Sequence, residues 1–189
     1  MKSDLKVILV GNSGVGKSSL LTAFYSQPFD CQTVPTVAPS YSCIEINRKD
    51  GVKVWLQVWD TAGQERYQSV GKLFYRDCDV AFVCFDGSKD HTLDSVKNWI
   101  NTVREESPDA NILVILTKSD LYSSELIETE TNSINSIMEE YRIKGFFVTS
   151  SVLQRGVKDA FQSAANFYQA SKSIKTGSQP IPQTQSNCC

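Results

Sequence analysis

The residues best suited to chemistry lie in Gly11-Asn12-Ser13-Gly14-Val15-Gly16-Lys17-Ser18. This stretch fits the pattern G-x-x-x-x-G-K-[ST], a loop whose successive backbone N–H groups wrap a polyphosphate. The glycines let the backbone approach the phosphate oxygens closely, because no Cβ stands in the way. Lys17 can reach the terminal phosphates, and the Ser18 hydroxyl can ligate Mg²⁺. The stretch, called the phosphate loop below, therefore predicts a nucleoside polyphosphate site.

The segments on either side of the phosphate loop support this interpretation. An apolar run at residues 5–10 is typical of a strand, and residues 18–24 are typical of a helix. A strand that leads through a glycine loop into a helix directs the N-terminal dipole of that helix at the phosphate.

Composition restricts the class of protein. The chain has 189 residues, of which 41% are hydrophobic and 21% charged, so a folded, soluble domain is expected. The net charge of −2 provides no basic field for nucleic acid. No apolar run approaches the roughly 20 residues of a membrane span. Because Met1–Asp4 lead directly into the first strand, we expect no signal peptide and a cytosolic protein.

Apolar patterns predict an α/β fold. Strands are expected at residues 5–10, 41–47, 52–59, 80–85, 112–116 and 146–148, and helical faces at 18–24, 93–103, 134–141 and 157–168. Asp50-Gly51 is a strong hairpin signal, so one strand should be antiparallel in a mostly parallel six-stranded sheet with helices on both faces. Residues 1–170 should form one domain. Residues 171–189, rich in Ser, Gln, Thr and Pro, should be a disordered tail.

Ligands of such sheets bind at the carboxyl ends of the strands. Asp60, which ends an apolar strand, is placed to hold Mg²⁺ through a water molecule, beside Ser18 as a direct ligand. Gly63 leaves a backbone N–H open to the γ-phosphate, and Gln64 could orient an attacking water. Thr36 can offer a hydroxyl to the metal.

The order of these motifs resembles that of Ras-superfamily small GTPases. The matching segments are Gly11–Ser18, Thr36, Asp60–Glu65, Thr117–Asp120 and Thr149–Ser151. Within the superfamily the chain is most similar to the Rab family of membrane-traffic regulators, through residues 55–60, 66–67, 74–76 and 82–86 and the final cysteine pair. The resemblance implies a P-loop small-GTPase fold and a Mg²⁺-dependent switch between GTP- and GDP-bound states.

The resemblance also implies roles for individual residues. Phosphate would be bound by Ser13, Gly14, Val15, Gly16, Lys17, Ser18, Ser19, Thr36 and Gly63. Metal ligands would be Ser18, Thr36 and, through water, Asp60, while Gln64 would position the catalytic water. Guanine would be bound by Phe29, Thr117, Lys118, Asp120, Ser150, Ser151 and Val152. Effectors and switching would involve Val37, Tyr41, Trp59, Tyr67 and Phe74, although large aromatics at strand ends are more often core residues.

Guanine recognition would depend chiefly on Asp120, which accepts from the guanine N1–H and exocyclic amine. Adenine leaves that carboxylate unpaired, at a cost on the order of ~2–5 kcal/mol. Two of the three departures from the family pattern concern the guanine site. Thr117 stands where Asn is usual, so guanine selectivity should be kept and affinity reduced. Val152 replaces the usual Lys, a mild loss because backbone N–H groups meet the guanine O6.

Partners follow from the same resemblance. A guanine nucleotide exchange factor, a GTPase-activating protein, effectors and a GDP-dissociation inhibitor or escort protein are expected, with the chain itself a monomer. No arginine obviously reaches the γ-phosphate, so a partner should supply one, worth ~10³–10⁵ in rate. The Val37–Tyr41 segment, with Pro39, differs from the usual Rab effector segment.

The last two residues, Cys188 and Cys189, do not match the C-a-a-X pattern and could be idle thiols. Stable membrane attachment takes two signals, and the tail carries only Lys172 and Lys175, too few for a polybasic patch. By resemblance both cysteines are geranylgeranylated. The protein would then be cytoplasmic and reversibly attached to the cytosolic face of intracellular membranes.

Two other functions stay open at this point. One is a binding scaffold that no longer cycles, for which Thr117 would mark a degenerate base-binding motif. The other is an ATPase or nucleotide kinase that shares the phosphate loop. Thr117–Asp120 disfavours it, as does the absence of an arginine-rich lid.

Overall fold

A computed structural model describes residues 4–27, 40–60, 74–88 and 92–169. Six strands form one sheet: β1 (Asp4–Val10), β2 (Ser40–Asn47), β3 (Lys53–Asp60), β4 (Val80–Asp86), β5 (Asn111–Thr117) and β6 (Ile143–Val148). The strand order is β2-β3-β1-β4-β5-β6. β2 pairs antiparallel with β3, and every other pair in the sheet is parallel. The predicted fold class is confirmed.

The described ranges contain four α-helices that pack on this sheet: α1 (Lys17–Phe24), α2 (Thr92–Glu106), α3 (Ser124–Ile137) and α4 (Val157–Ala165). A single 3₁₀ turn, Ser119–Leu121, follows β5. Among the helices described here, none is both long enough and apolar enough to cross a membrane.

The boundaries of α3 differ from the expectation. The helix begins at Ser124, ten residues before the predicted apolar face, with Ser123 accepting a capping hydrogen bond from the Leu126 N–H at 3.3 Å. It ends at Ile137, so Tyr141 lies beyond it. The left-handed backbone of Arg142 (φ 49°) then turns the chain into β6. The first half of α3 contains only two apolar residues, Leu126 and Ile127, which are too few to indicate its start by helical spacing.

Core residues cover both faces of the sheet. Along β1 the side chains alternate: Val7 and Leu9 join the cluster that contains α1 and α4, whereas Ile8 and Val10 join the one that contains α2 and α3. All seven residues of β4 are buried, as its unbroken apolar sequence predicts for a central strand. This double burial fixes the carboxyl ends of β1, β3, β4 and β5 at one edge.

The turn of the β2–β3 hairpin lies at the opposite edge of the sheet. Gly51 turns it with φ 82°, a conformation that favours glycine. The Arg48 guanidinium donates to the Tyr168 carbonyl oxygen at 2.9 Å and to the Asp50 carboxylate at 2.5 Å. The hairpin is thereby attached to the segment that follows α4.

Candidate functional site

The phosphate loop connects β1 to α1 in the way that the sequence predicts. Gly11, Gly14 and Gly16 all have positive φ, of 139°, 74° and 103°. Gly11 has a second requirement, since a Cβ there would lie 2.1 Å from the Cys84 carbonyl oxygen of β4. The loop therefore lies against the adjacent strand, and α1 begins directly behind it, as a phosphate site requires.

Lys17 is 5% exposed, and its ammonium lies inside the loop. It donates to the carbonyl oxygens of Gly11 at 2.8 Å and of Asn12 at 3.0 Å. Asn12 is held at its other end as well, because the Trp99 indole N–H donates to its side-chain oxygen at 2.8 Å. The cation is thus positioned by the loop that would receive the phosphates.

Ser18 and Asp60 meet at the start of α1 and the end of β3. The Ser18 hydroxyl donates to Asp60 Oδ2 at 2.5 Å. The other carboxylate oxygen, Asp60 Oδ1, is buried and accepts no hydrogen bond from the residues that the structure describes. Burial raises the pKa of Asp60, against the opposing effects of the Ser18 hydrogen bond and the Lys17 charge.

These two side chains fit a hard divalent cation. A hydroxyl oxygen and a buried carboxylate with one unused oxygen are the oxygen donors that Mg²⁺ prefers, with phosphate oxygens and water completing its shell. A cation would also compensate for the burial of the Asp60 charge. Ser18 and Asp60 are therefore the described residues that would hold the ion.

Thr117 ends β5 and is 2% exposed. Its hydroxyl lies 2.5 Å from the Val15 carbonyl oxygen and 2.9 Å from the Phe85 carbonyl oxygen, and its single proton can serve only one of them at a time. Although the departure from Asn removes an amide, the hydroxyl keeps the end of β5 bonded to the phosphate loop. Sequence reasoning did not foresee this hydrogen bond.

Lys118 makes a second connection between the same two loops. Its ammonium donates to the Gly14 carbonyl oxygen at 2.8 Å and to Asp86 Oδ2 at 2.8 Å. The backbone of Lys118 is left-handed, with φ 56°. The lysine stem consequently runs along the phosphate loop, where the resemblance places the guanine.

Asp86 is a buried carboxylate beside Lys118 to which sequence reasoning assigned no role. It ends β4 and, besides Lys118, accepts from the Ser88 N–H at 3.0 Å, the Ser88 hydroxyl at 2.6 Å and the Tyr122 hydroxyl. Burial by itself would raise the pKa of Asp86, but the hydrogen bonds from Lys118, Ser88 and Tyr122 outweigh burial and hold it far below its usual value. The available signal was its position, since Asp86 follows a buried strand just as Asp60 does.

The loop after β6 orients Asp120. The Ser150 hydroxyl, fully buried, donates to Asp120 Oδ1 at 2.5 Å. Ser150 also accepts from the Leu153 N–H at 3.0 Å, and the Ser119 N–H donates to the Thr149 carbonyl oxygen at 3.0 Å. The β5 and β6 loops are thus joined by both side-chain and backbone hydrogen bonds.

The remaining predicted residues take the following places. Ser13 is exposed in the phosphate loop, Ser19 lies in the first turn of α1, Ser151 is half-buried and Val152 is exposed. Tyr41, Trp59 and Phe74 come together as an aromatic triad, with ring centroids 5.1 Å apart for the first pair and 5.7 Å for the second. Tyr41 is 50% exposed, so the triad reaches the surface.

Several predictions fall on residues outside the described ranges. These are Phe29, Thr36, Val37, Gly63, Gln64, Tyr67, Cys188 and Cys189, together with the predicted tail at 171–189.

Comparison with known proteins agrees with this arrangement of loops. The family model described as Ras family matches residues 6–170, which span the whole site. The chain belongs to the Ras family. As a member, it is a small GTP-hydrolysing enzyme, and the predicted resemblance is confirmed.

Individual relatives come from more than one branch of Ras-like proteins. Ras-related protein Rab-11A of Dictyostelium discoideum is 37% identical over 84% of this chain and 72% of its own length. Ras-related protein YPTC6 of Chlamydomonas reinhardtii is 35% identical over 83% and 71%. Rho-related GTP-binding protein RhoH of Bos taurus is 33% identical over 87% of each chain. The similarity thus covers the sheet, the helices and the site together.

Proposed function

We propose that this Ras-family chain is a Rab-like switch, which binds GTP with Mg²⁺, hydrolyses it to GDP and regulates membrane traffic. The observation that supports this most is the bonding of the β5 loop to the phosphate loop. Thr117 reaches the Val15 carbonyl oxygen and Lys118 reaches the Gly14 carbonyl oxygen, so the segment proposed to hold the base forms one unit with the phosphate loop. Such a unit suits a whole nucleotide better than a free phosphate.

In the proposed mechanism Lys17 and the loop N–H groups bind the β- and γ-phosphates. Ser18, Thr36 and, through water, Asp60 would hold Mg²⁺, which neutralises charge that develops on the phosphate oxygens. Gln64 would orient the attacking water, and the Gly63 N–H would contact the γ-phosphate. Loss of that phosphate would release the Thr36 and Gly63 segments, which makes hydrolysis a switch.

Guanine selectivity is assigned to Asp120. The Ser150 hydroxyl orients this carboxylate, because it donates to one of its oxygens at 2.5 Å. Phe29, Lys118 and the Ser151–Val152 backbone would complete the base site. Titration calorimetry with GDP and ADP tests the assignment: we expect GDP to bind at least tenfold tighter, and equal affinities would contradict it.

Hydrolysis is tested with Gln64→Leu. The variant should bind GTP as tightly as the wild type but turn it over much more slowly, in single-turnover measurements with Mg²⁺. An unchanged rate would remove Gln64 from its role. The second candidate, a non-cycling scaffold, draws support from Thr117 in place of Asn, and it predicts no hydrolysis even in the wild type.

Membrane attachment and partner binding complete the proposal. Cys188 and Cys189 would carry two geranylgeranyl groups, and the aromatic triad, exposed at Tyr41, would contact effectors. A tagged chain should sediment with intracellular membranes, whereas a variant with both cysteines changed to serine should stay in the soluble fraction. Equal partition of the two would refute the lipid anchor without affecting the nucleotide site.

A further inference from the structure

Asn12 of the phosphate loop is held by a side chain of α2. The Trp99 indole N–H donates to its side-chain oxygen at 2.8 Å, across 87 positions of sequence. Its backbone carbonyl oxygen accepts from the Lys17 ammonium at 3.0 Å. One residue therefore links a helix on the face of the sheet to the cation of the phosphate site.

Trp99 is well suited to hold another group in place. Its neighbours Val96 and Ile100 are 0% and 1% exposed and belong to the core between α2 and the sheet. The indole itself packs partly buried against that core. An indole has one N–H donor and only two side-chain torsions, so it fixes a partner at little entropic cost.

The phosphate loop needs such support from outside. Gly11, Gly14 and Gly16 give it the left-handed geometry but no side chains with which to hold it. From the base side, Thr117 and Lys118 bond to its later part, at the carbonyl oxygens of Val15 and Gly14. Its earlier part, where Lys17 is held, is contacted by Trp99.

We propose that Trp99 is a positioning residue for nucleotide binding: through Asn12 it fixes the two carbonyl oxygens that aim the Lys17 ammonium at the phosphates. The inference rests on the proposed function, since it assumes that a guanine nucleotide occupies the loop. Trp99 does not touch the nucleotide in this account. Its effect passes through the Asn12 side chain to the backbone and from there to Lys17.

The experiment is a double-mutant cycle on the full chain loaded with GDP and Mg²⁺. Trp99→Phe removes the donor but keeps the ring, and Asn12→Ala removes the acceptor. Each should release radiolabelled GDP about 2- to 10-fold faster, the effect of one lost hydrogen bond. The double variant should be no faster than either single variant, because both remove the same contact. Asn12→Asp, which keeps an acceptor for the indole N–H, should release GDP more slowly than Asn12→Ala.

Trp55→Phe is the matched control, since it removes an indole from β3 that lies outside the site. It should leave GDP release unchanged. A second readout follows the contact itself in ¹⁵N-indole NMR spectra. The signal that disappears in Trp99→Phe belongs to the Trp99 indole N–H, and that signal should shift most in Asn12→Ala. The shift reports the contact, whereas a purely structural role would lower the melting temperature without producing the cycle in GDP release.

The outcomes separate the two proposals. If the wild type does not retain GDP, the proposed function fails, and the positioning role fails with it. If the wild type retains GDP but Trp99→Phe releases it at the wild-type rate, only the positioning role is refuted. Additive effects of the two substitutions would equally refute it, because independent contributions exclude action through Asn12.

Discussion

The Thr117 hydroxyl offers the sharpest test of how the site is assembled. Thr117→Val keeps the branched shape but removes the O–H that lies 2.5 Å from the Val15 carbonyl oxygen. Because the residue is 2% exposed, water cannot replace the lost donor. Leaving a buried acceptor unpaired costs about 1–3 kcal/mol. For a domain of this size, about 2 kcal/mol corresponds to a melting temperature roughly 4–8 °C lower.

Nucleotide release should respond as well. Without the Thr117 hydroxyl the end of β5 no longer holds Val15, so the phosphate loop is less ordered before the nucleotide binds. The loop then loses more conformational entropy on binding, which lowers the affinity. We expect GDP release to accelerate several-fold, up to about tenfold for 1.4 kcal/mol. Scanning fluorimetry gives the melting temperature, and filter binding of radiolabelled GDP gives the release rate.

Thr117→Ser supplies the control. It keeps the hydroxyl and loses one methyl group, at about 0.8 kcal/mol for the lost burial. Stability should therefore fall slightly while GDP release stays at the wild-type rate. If the Val and Ser variants release GDP equally fast, the hydroxyl does not connect the two loops energetically, and the reasoning is refuted.

Three further predictions concern stability. Burial raises the folded-state pKa of Asp60, so its ionisation lowers stability as the pH rises through that pKa. Without Mg²⁺ and nucleotide, Asp60→Asn should therefore melt at a higher temperature than the wild type at pH 7, and the difference should shrink toward acid pH. The same variant should bind Mg²⁺–GDP more weakly. The folded-state pKa of Asp86 is lowered, so the stability that its charge contributes is complete above the ordinary pKa of aspartate and is lost in strong acid. Asp86→Asn should therefore lower the free energy of unfolding in urea by about 2 kcal/mol at pH 7 and by less at low pH. Gly11→Ala, whose Cβ would lie 2.1 Å from the Cys84 carbonyl oxygen, should destabilise more than Gly51→Ala, which meets nothing within 4 Å; equal urea midpoints would contradict the steric argument.

Much of the fold could be predicted because its signals are local. β4 and β5 are central strands, and burial on both faces produces the unbroken apolar runs that identify them. The phosphate loop was equally predictable, because its backbone conformation requires glycine at particular positions. The first half of α3 was not, because its exposed face is polar and its capping residue, Ser123, is a common loop residue.

The contacts that assemble the site could not be predicted, because they join residues far apart in the sequence. Asp86 meets Lys118 across 32 positions and Tyr122 across 36, and Trp99 meets Asn12 across 87. No spacing rule connects such pairs until strand order is known. Thr117, which stands where the family pattern has Asn, illustrates the same point. Its hydroxyl compensates for part of the missing Asn amide only because the fold places the Val15 carbonyl oxygen beside it.

The attachment of Arg48 to Tyr168 has a consequence for the orientation of the whole molecule. The hairpin turn that carries Arg48 lies one strand length, about 26 Å for the eight residues of β3, from the edge that carries Asp60. Tyr168, which follows α4, therefore lies at the end of the sheet opposite Asp60. If the residues beyond Tyr168 attach the protein to a bilayer, as proposed above, Ser18 and Asp60 lie at the end of the sheet away from the point where those residues begin.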